Sequence, residues 1–244
     1  MTIEIKALSK HYKNQVVVDQ LTLSIEKGEL FALLGQNAAG KTTTIKMLCG
    51  LLTPTSGDAI LEGESIVFSQ TAVKKIINIS PQETAVAPNL TVQENLLLMG
   101  QIYGDSKQIA QQHAVAQMDL FGLTSVKEKR AKVLSGGYLR RLSVAMAMMS
   151  KPQILFLDEP TGGVDPITRR QFWEMIYDAS QKGITVFVTT HYMDEAEYCD
   201  RVSIMVDGRI EAMSSPKELK REFNAENIDE VFRLLAKKST RKEI

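Results

Sequence analysis

No stretch of the sequence reaches the roughly 18 to 20 consecutive apolar residues that a bilayer-crossing helix needs, so any role at a membrane is expected to come through a partner. The opening segment "MTIEIKALSKHY" alternates apolar and polar residues like a strand and lacks the apolar run of a signal peptide. Neither sign of charge is in excess, with 29 Lys plus Arg against 29 Asp plus Glu. A balanced chain has no global field for nucleic acid or an acidic substrate, and no nucleic-acid partner is expected. Cysteine is scarce: Cys49 lies in a segment with the look of a core helix and Cys199 in one with the look of a surface turn. Their spacing suggests neither a metal site nor a disulfide framework, which fits a reducing compartment. Internal repeats and low-complexity segments are missing too. What remains is a 244-residue chain, one large domain or two small ones, long enough for a substantial core.

The first third is strand-rich. Segments 2–12 and 16–25 alternate as half-exposed antiparallel strands do, whereas "FALL" at 31–34 is a short continuous apolar run suited to a buried strand. A helix is predicted over 42–52, closed by Thr53 and Pro54, with strand character returning at 56–66 and 76–80. From Leu90 to about Ser150 the periodicity becomes helical, so a mainly helical insertion, about 88–150, is expected there. Strands follow at 154–158 and 184–190, with helices at 166–183 and 193–199, and an edge hairpin over 201–213 turning at Asp207 and Gly208. Strands alternating with helices predict an α/β fold with a mostly parallel central sheet, preceded by an antiparallel β subdomain. The expected division is a main unit over 1–215 and a helical extension over 216–244.

Between the buried strand and the first helix stands "GQNAAGKT", which satisfies G-x-x-x-x-G-K-[ST] in the right strand-to-helix setting. The backbone N–H groups of such a loop point inward and the helix start adds positive potential, so it cradles the α- and β-phosphates of a nucleotide. Lys41 is placed to reach the β- and γ-phosphates, and the Thr42 hydroxyl to complete the shell of a magnesium ion. A P-loop gives nucleotide binding, not a reaction, and the guanine-reading "NKxD" stretch of small GTPases is absent.

Two further stretches narrow the chemistry. "ILFLDEP" puts Asp158 at the C-terminal end of a buried strand, where α/β sheets place their ligands. An aspartate there can hold magnesium through water, and Glu159 beside it can polarise an attacking water. "LSGGY" precedes an apolar-periodic helix, so Ser135 and the amides of Gly136 and Gly137 form a second anion site at a helix start. The bland alternatives are acids that merely end a strand and a glycine hinge with a serine cap.

In order and spacing these elements resemble the ATP-binding cassette family, the nucleotide-binding subunits of ABC transporters, over residues 3–215. "GQNAAGKTT" is similar to its first phosphate motif, "LSGGY" to its signature, "ILFLDE" to its second phosphate motif and "TGGVD" to its D-loop. His191 matches its switch histidine, Gln82 its Q-loop and Tyr12 the aromatic that stacks on adenine. The resemblance implies ATP and Mg2+ as ligands and a P-loop fold. It implies contacts to the nucleotide from Tyr12, Gly35, Asn37, Gly40, Lys41, Thr42 and Thr43, and to the metal from Thr42, Gln82 and Asp158. A head-to-tail dimer, with a second copy or a homologous cassette, would hold each ATP between the Lys41 loop of one chain and Ser135, Gly136 and Gly137 of the other, with Asp165 crossing the interface. Glu159 would be the general base, His191 would hold the γ-phosphate and the attacking water, and Lys41 would complete the catalytic set.

The sequence departs from the family pattern at Gln36 and Ala38, where proline and glycine are usual, at Tyr138, where glutamine is usual, and at Gly163 and Val164 in the D-loop. If position 38 needs a positive φ, its Cβ costs roughly 1 kcal/mol. No catalytic residue is lost, so an active ATPase is expected. The end of the chain, with "NIDEVFRLL", resembles the branch that serves bacterial exporters of drugs, antibiotics, polysaccharides or lipids. That branch implies an integral permease of six spans per subunit and a place on the cytoplasmic face of the cell membrane, with helices 90–130 gripping the permease. Two alternatives stay open: a soluble cassette ATPase in iron–sulfur assembly, and a catalytically dead regulatory cassette.

Overall fold

The computed structural model describes residues 1–13 and 15–242. Along the chain run β1 (Ile3–Tyr12), β2 (Gln15–Ile25), β3 (Leu30–Leu34), α1 (Lys41–Leu48), β4 (Ser56–Leu61), β5 (Glu64–Ser65), α2 (Gln70–Ile76) and β6 (Ile77–Ser80). Three helices follow, α3 (Val92–Ile102), α4 (Lys107–Leu120) and α5 (Gly136–Met148). Then come β7 (Ile154–Asp158), α6 (Pro166–Ser180), β8 (Thr185–Thr190), β9 (Arg201–Val206), β10 (Arg209–Ser214), α7 (Pro216–Glu222) and α8 (Ile228–Lys242).

The strands form two sheets, an antiparallel one ordered β2-β1-β4-β5 and a six-stranded one ordered β10-β9-β3-β8-β7-β6. In the second, β9, β3, β8, β7 and β6 are parallel and β10 closes the edge as an antiparallel hairpin with β9. That hairpin turns through Asp207 and Gly208, both at positive φ as a tight two-residue turn demands. The order places the C-terminal ends of β3, β8 and β7 side by side, and there the P-loop and the acidic pair emerge.

Period-two alternation splits the packing of the central sheet. Leu30, Ala32 and Leu34 of β3 face a core shared with Leu142, Phe172, Trp173 and α8, while Phe31 and Leu33 face a second core built with α1 and the antiparallel sheet. Phe31 and Phe156 flank Phe187 in neighbouring registers, with ring centroids 5.4 and 5.6 Å apart. A strand buried on both faces needs the continuous apolar run that the sequence shows. α1 packs into the second of these cores through Ile45, Met47 and Leu48, and the loop before it joins the same core through Ala39.

The helices begin where their caps dictate. Thr91 with Glu94 and Ser215 with Glu218 form capping boxes, and Asp165 caps α6 ahead of Pro166 at its first position. The helical segment is fastened to the sheet: Ser80 and Ser143 share a hydrogen bond of 2.8 Å, and Asn78 Nδ2 donates to Ala147 O at 2.9 Å.

Several expectations need correction. The segment 193–199, predicted as a helix, holds a single 3-10 turn, Glu195–Tyr198, because Glu195 is drawn inward rather than along a helix face. Cys199 is 6% exposed and not on the surface. The strand expected at 56–66 is a hairpin, β4 and β5, turning at Glu62 and Gly63 with φ of 47° and 85°. α2 was not predicted; it is seven residues long and buries Val73 alone, too little for a helical period to show. Elsewhere, His113 is partly buried beside Asp105, its Nδ1 2.6 Å from Asp105 Oδ2.

Candidate functional site

The loop from Gly35 to Gly40 leaves β3 and enters α1. Gly35 N donates to Thr190 O at 3.2 Å, which pins the loop to the end of β8. Gly40 has φ of 106°, and a Cβ there would stand 2.6 Å from Val17 O, so both conformation and space require glycine. Ala38 also sits at positive φ, 66°, which is the strain anticipated at this position. Lys41 is 4% exposed; its Nζ donates to Gly35 O at 2.8 Å and to Gln36 O at 3.0 Å, and lies 3.2 Å from Glu159 Oε1. A cleft beside the loop is lined by Gln15, Val17, Asn37, Ala38, Gly40, Lys41, Thr42, Thr43, Gln82 and Glu159.

Asp158 ends β7, 3% exposed, and its Oδ1 accepts from Thr42 Oγ1 at 3.1 Å and Thr189 Oγ1 at 2.6 Å. Glu159 follows in a left-handed conformation, φ 46°, with its N–H turned back to the Thr189 hydroxyl at 3.1 Å. A glutamate held there costs on the order of 1 to 3 kcal/mol, and it persists only where neighbours over-determine it. They do: besides Lys41, Gln82 Nε2 donates to Glu159 Oε2 at 3.2 Å, and His191 Nδ1 stands 3.1 Å from the same oxygen. The His191 contact is a close electrostatic one, not aligned as a hydrogen bond. On α5, Arg140 Nη1 donates to Pro81 O at 3.4 Å, next to Gln82. Burial pulls the Arg140 guanidinium below the usual arginine range, while the nearby Asp158 and Glu159 oppose that pull.

Ser135, Gly136 and Gly137 lie in a second cleft, with Tyr138, Arg141, Gly163, Val164, Asp165 and Thr168, and none of these lines the first. The Ser135 side chain makes no cap bond, so the bland reading of a serine cap finds no support. Asp165 Oδ1 accepts from Thr168 N at 3.0 Å, and hydrogen bonds from Thr168 hold its carboxyl below the usual carboxylate range. The Tyr138 ring lies 5.7 Å from the Arg141 guanidinium, whose Nη2 donates to Gln171 Oε1 at 2.9 Å.

The structure thus gathers Lys41, Thr42, Gln82, Asp158, Glu159 and His191 around one acidic centre and sets the signature residues apart. Tyr12 is 47% exposed at the end of β1; it pairs across the hairpin with Gln15, which lines the first cleft. The sequence reading missed Thr189, Arg140 and the buried Glu195. Thr189 looked like any β-branched strand residue, and Arg140 like one more charge on a helix.

A metal would find hard oxygen donors here. The Thr42 hydroxyl and the Asp158 carboxylate already meet at 3.1 Å, and among the described residues no three His, Cys, Asp or Glu converge into a cage. That donor set fits Mg2+, which keeps several waters and is held by one or two protein oxygens plus substrate phosphates.

Comparison with known proteins agrees with this chemistry. The family model for "ABC transporter" matches residues 18–162. The probable multidrug ABC transporter ATP-binding protein YbhF of Escherichia coli is 43% identical over 219 residues, covering 89% of this chain and 38% of its own length. The linearmycin resistance ATP-binding protein LnrL of Bacillus subtilis is 37% identical over 218 residues, covering 89% of this chain and 70% of its own. A solved structure of the ATP-binding subunit of an ABC transporter superposes with a TM-score of 0.84 at 28% identity, covering 96% of this chain and 99% of that one.

Proposed function

The chain belongs to the ABC transporter family, and from that premise we propose that it is an ATPase whose hydrolysis powers export through a separate membrane permease. One observation carries the reading: Lys41, Gln82 and His191 converge on the single carboxylate of Glu159, beside Asp158 and Thr42, at the adjoining ends of β3, β7 and β8.

The mechanism follows from those contacts. The amides of the Gly35–Gly40 loop and the start of α1 receive the α- and β-phosphates. Asn37 and Thr43 border them and Tyr12 stacks on adenine. Lys41 exchanges the carbonyls of Gly35 and Gln36, and the Glu159 carboxylate, for the β- and γ-phosphates. Arrival of ATP therefore removes the cation from Glu159 and leaves it free to take a proton. Thr42 and Asp158, with Gln82 approaching, would hold Mg2+, which would supply positive charge to offset the phosphates. Water attacks the γ-phosphorus and gives its proton to Glu159, the bond from the γ-phosphorus to the bridging oxygen breaks, and ADP and phosphate leave. His191 orients the water and the γ-phosphate. Ser135, Gly136 and Gly137 of a second copy, or of a homologous cassette, add donors where negative charge develops, and Asp165 lies at that interface. Hydrolysis then waits on closure of the dimer.

The cassette is the unit over 1–215, with its helical part at about 88–150, and the extension over 216–244 packs Val231, Phe232 and Leu235 onto its core. Among the described residues no helix is long and apolar enough to cross a membrane. Attachment to the cytoplasmic face would come through a permease of six spans per subunit. The chain spans 38% of the length of YbhF, and its likeness to that probable multidrug transporter subunit and to the linearmycin resistance subunit LnrL points to a drug exporter.

Glu159→Gln is expected to lower turnover at least about 100-fold, the scale of general-base catalysis, while ATP still binds. Turnover near wild type would remove Glu159 from the role of base. Tagging the chain in its own cell and identifying what co-purifies from gently solubilised membranes tests the transport part. An integral six-span protein at equal stoichiometry is expected, and soluble partners alone would remove transport from the reading.

A further inference from the structure

One buried carboxylate plays no part in the mechanism above. Glu195 is 0% exposed, and its two oxygens accept hydrogen bonds from two different segments, Oε1 from the Thr161 hydroxyl and Oε2 from the Thr190 hydroxyl. Thr190 immediately precedes His191, and its hydroxyl also accepts from Tyr192 N at 3.0 Å. Thr161 lies in the turn between Glu159 and Asp165, where Gly162 N donates to Glu159 O at 3.2 Å and Val164 N to Thr161 O at 3.1 Å.

A third segment reaches the same carboxylate. Arg169 of α6, with its side chain 15% exposed, places Nε 3.5 Å from Glu195 Oε1, donates from Nη2 to Val164 O at 3.4 Å, and lies 4.0 Å over the Tyr192 ring. The Tyr192 ring centroid is in turn 4.1 Å from that of His191. Trp173 and Ala196 are both fully buried in the surrounding core. A carboxylate in such a place is costly unless donors surround it, and a residue needed only for volume could be apolar at no such cost.

We propose that Glu195 is a positioning residue that locks the segment bearing His191 to the turn bearing Asp165, so that events at the dimer-facing turn set the placement of the γ-phosphate-sensing histidine. Glu195 lines neither cleft; its carboxylate ties the segment that carries His191 to the turn that carries Asp165. The inference rests on the ATPase reading, which gives His191 and Asp165 their tasks.

Glu195→Gln keeps the shape but replaces one acceptor by a donor that faces a hydroxyl, and it removes the charge opposite Arg169. Misplacement of about 1 Å at a reacting centre can cost about 100-fold, so kcat is expected to fall on the order of 10- to 100-fold, with KM for ATP within about twofold of wild type. A role in folding alone would not give that split. A second measurement asks for coupling directly: Asp165→Ala should lower kcat in the wild-type background and add little in the Glu195→Gln background. Unchanged kcat, a loss carried by KM, or full additivity with Asp165→Ala would overturn the proposal. Should Glu195→Gln fail to fold, Thr161→Val removes one hydroxyl and leaves the Arg169 pair. A smaller kcat loss with the same missing additivity supports the proposal, and full additivity overturns it. Wild-type turnover that is lost in Glu159→Gln, measured in the same preparation, secures the ATPase reading separately.

Discussion

The starts of α1 and α5 both present backbone amides to an anion, yet the chain treats them differently. At α1 the charged side chains are closed in: Lys41 is 4% exposed with three oxygen partners, and Asp158 is gripped by two hydroxyls. At α5 the surface is open: Ser135 and Gly136 are exposed, Val133 is 65% exposed, and the serine caps nothing. On the proposed reading bonds break beside the strained Glu159, where donors must be preorganised, and two hydrophobic cores pack on either face of β3 there. The α5 start, which on the proposed reading meets another chain and parts from it again, presents its exposed residues outside those cores. On the proposed reading, the contrast teaches that one chain brings the lysine and the carboxylates and leaves the closing donors to its partner.

The strongest way to break the contrast is to empty the closed side. Lys41→Ala should lower turnover on the order of 1,000-fold, as loss of a preorganised donor at the reacting phosphate does. Titration calorimetry should show ATP affinity lower by at least about 10-fold, in line with the roughly 1.5 to 3 kcal/mol of hydrogen bonds to a charged group. Next comes Ser135→Arg on the open side, which puts bulk and charge in the path of a partner. Turnover is expected to fall about 100-fold, with the ATP affinity of the single chain unchanged within about twofold. Equal damage to affinity would erase the distinction between the two sides. Thr189→Val takes one donor from Asp158 and one acceptor from the Glu159 amide; unfolding in denaturant should show a loss of about 1 to 3 kcal/mol. The smallest effect sharpens the account of strain: Ala38→Gly relieves a positive φ of 66° and should raise the melting temperature by about 2 to 4 °C, equivalent to roughly 1 kcal/mol in a chain of this size.

The parts legible in the sequence were those with a period or a motif. β3 announces itself because a strand buried on both faces must be apolar throughout, and the P-loop because glycine is obligatory at Gly40. The strain at Ala38 was legible too, since the reading asked whether that position needs a positive φ and the chain supplies 66°. What escaped was built from long-range hydrogen bonds. Nothing in "MDEAEYC" says that Glu195 turns inward to meet Thr161, 34 positions away, and the segment read as a helix instead. α2 escaped for want of length, and Cys199 because the turn that carries it is roofed by the main core. The likeness to exporter ATP-binding subunits lay in the motif order, which carries no signal for the cargo.

The central claim is that ATP is shared between the closed side of one chain and the open side of another. It is tested most directly by the solution mass of the Glu159→Gln chain with Mg2+ and ATP, measured by sedimentation beside the Glu159→Gln, Ser135→Arg double variant. The account predicts a dimer for the single variant with ATP, a monomer without nucleotide, and a monomer for the double variant under both conditions. A single variant that binds ATP yet stays monomeric, or a dimer that forms regardless of Ser135, would contradict it.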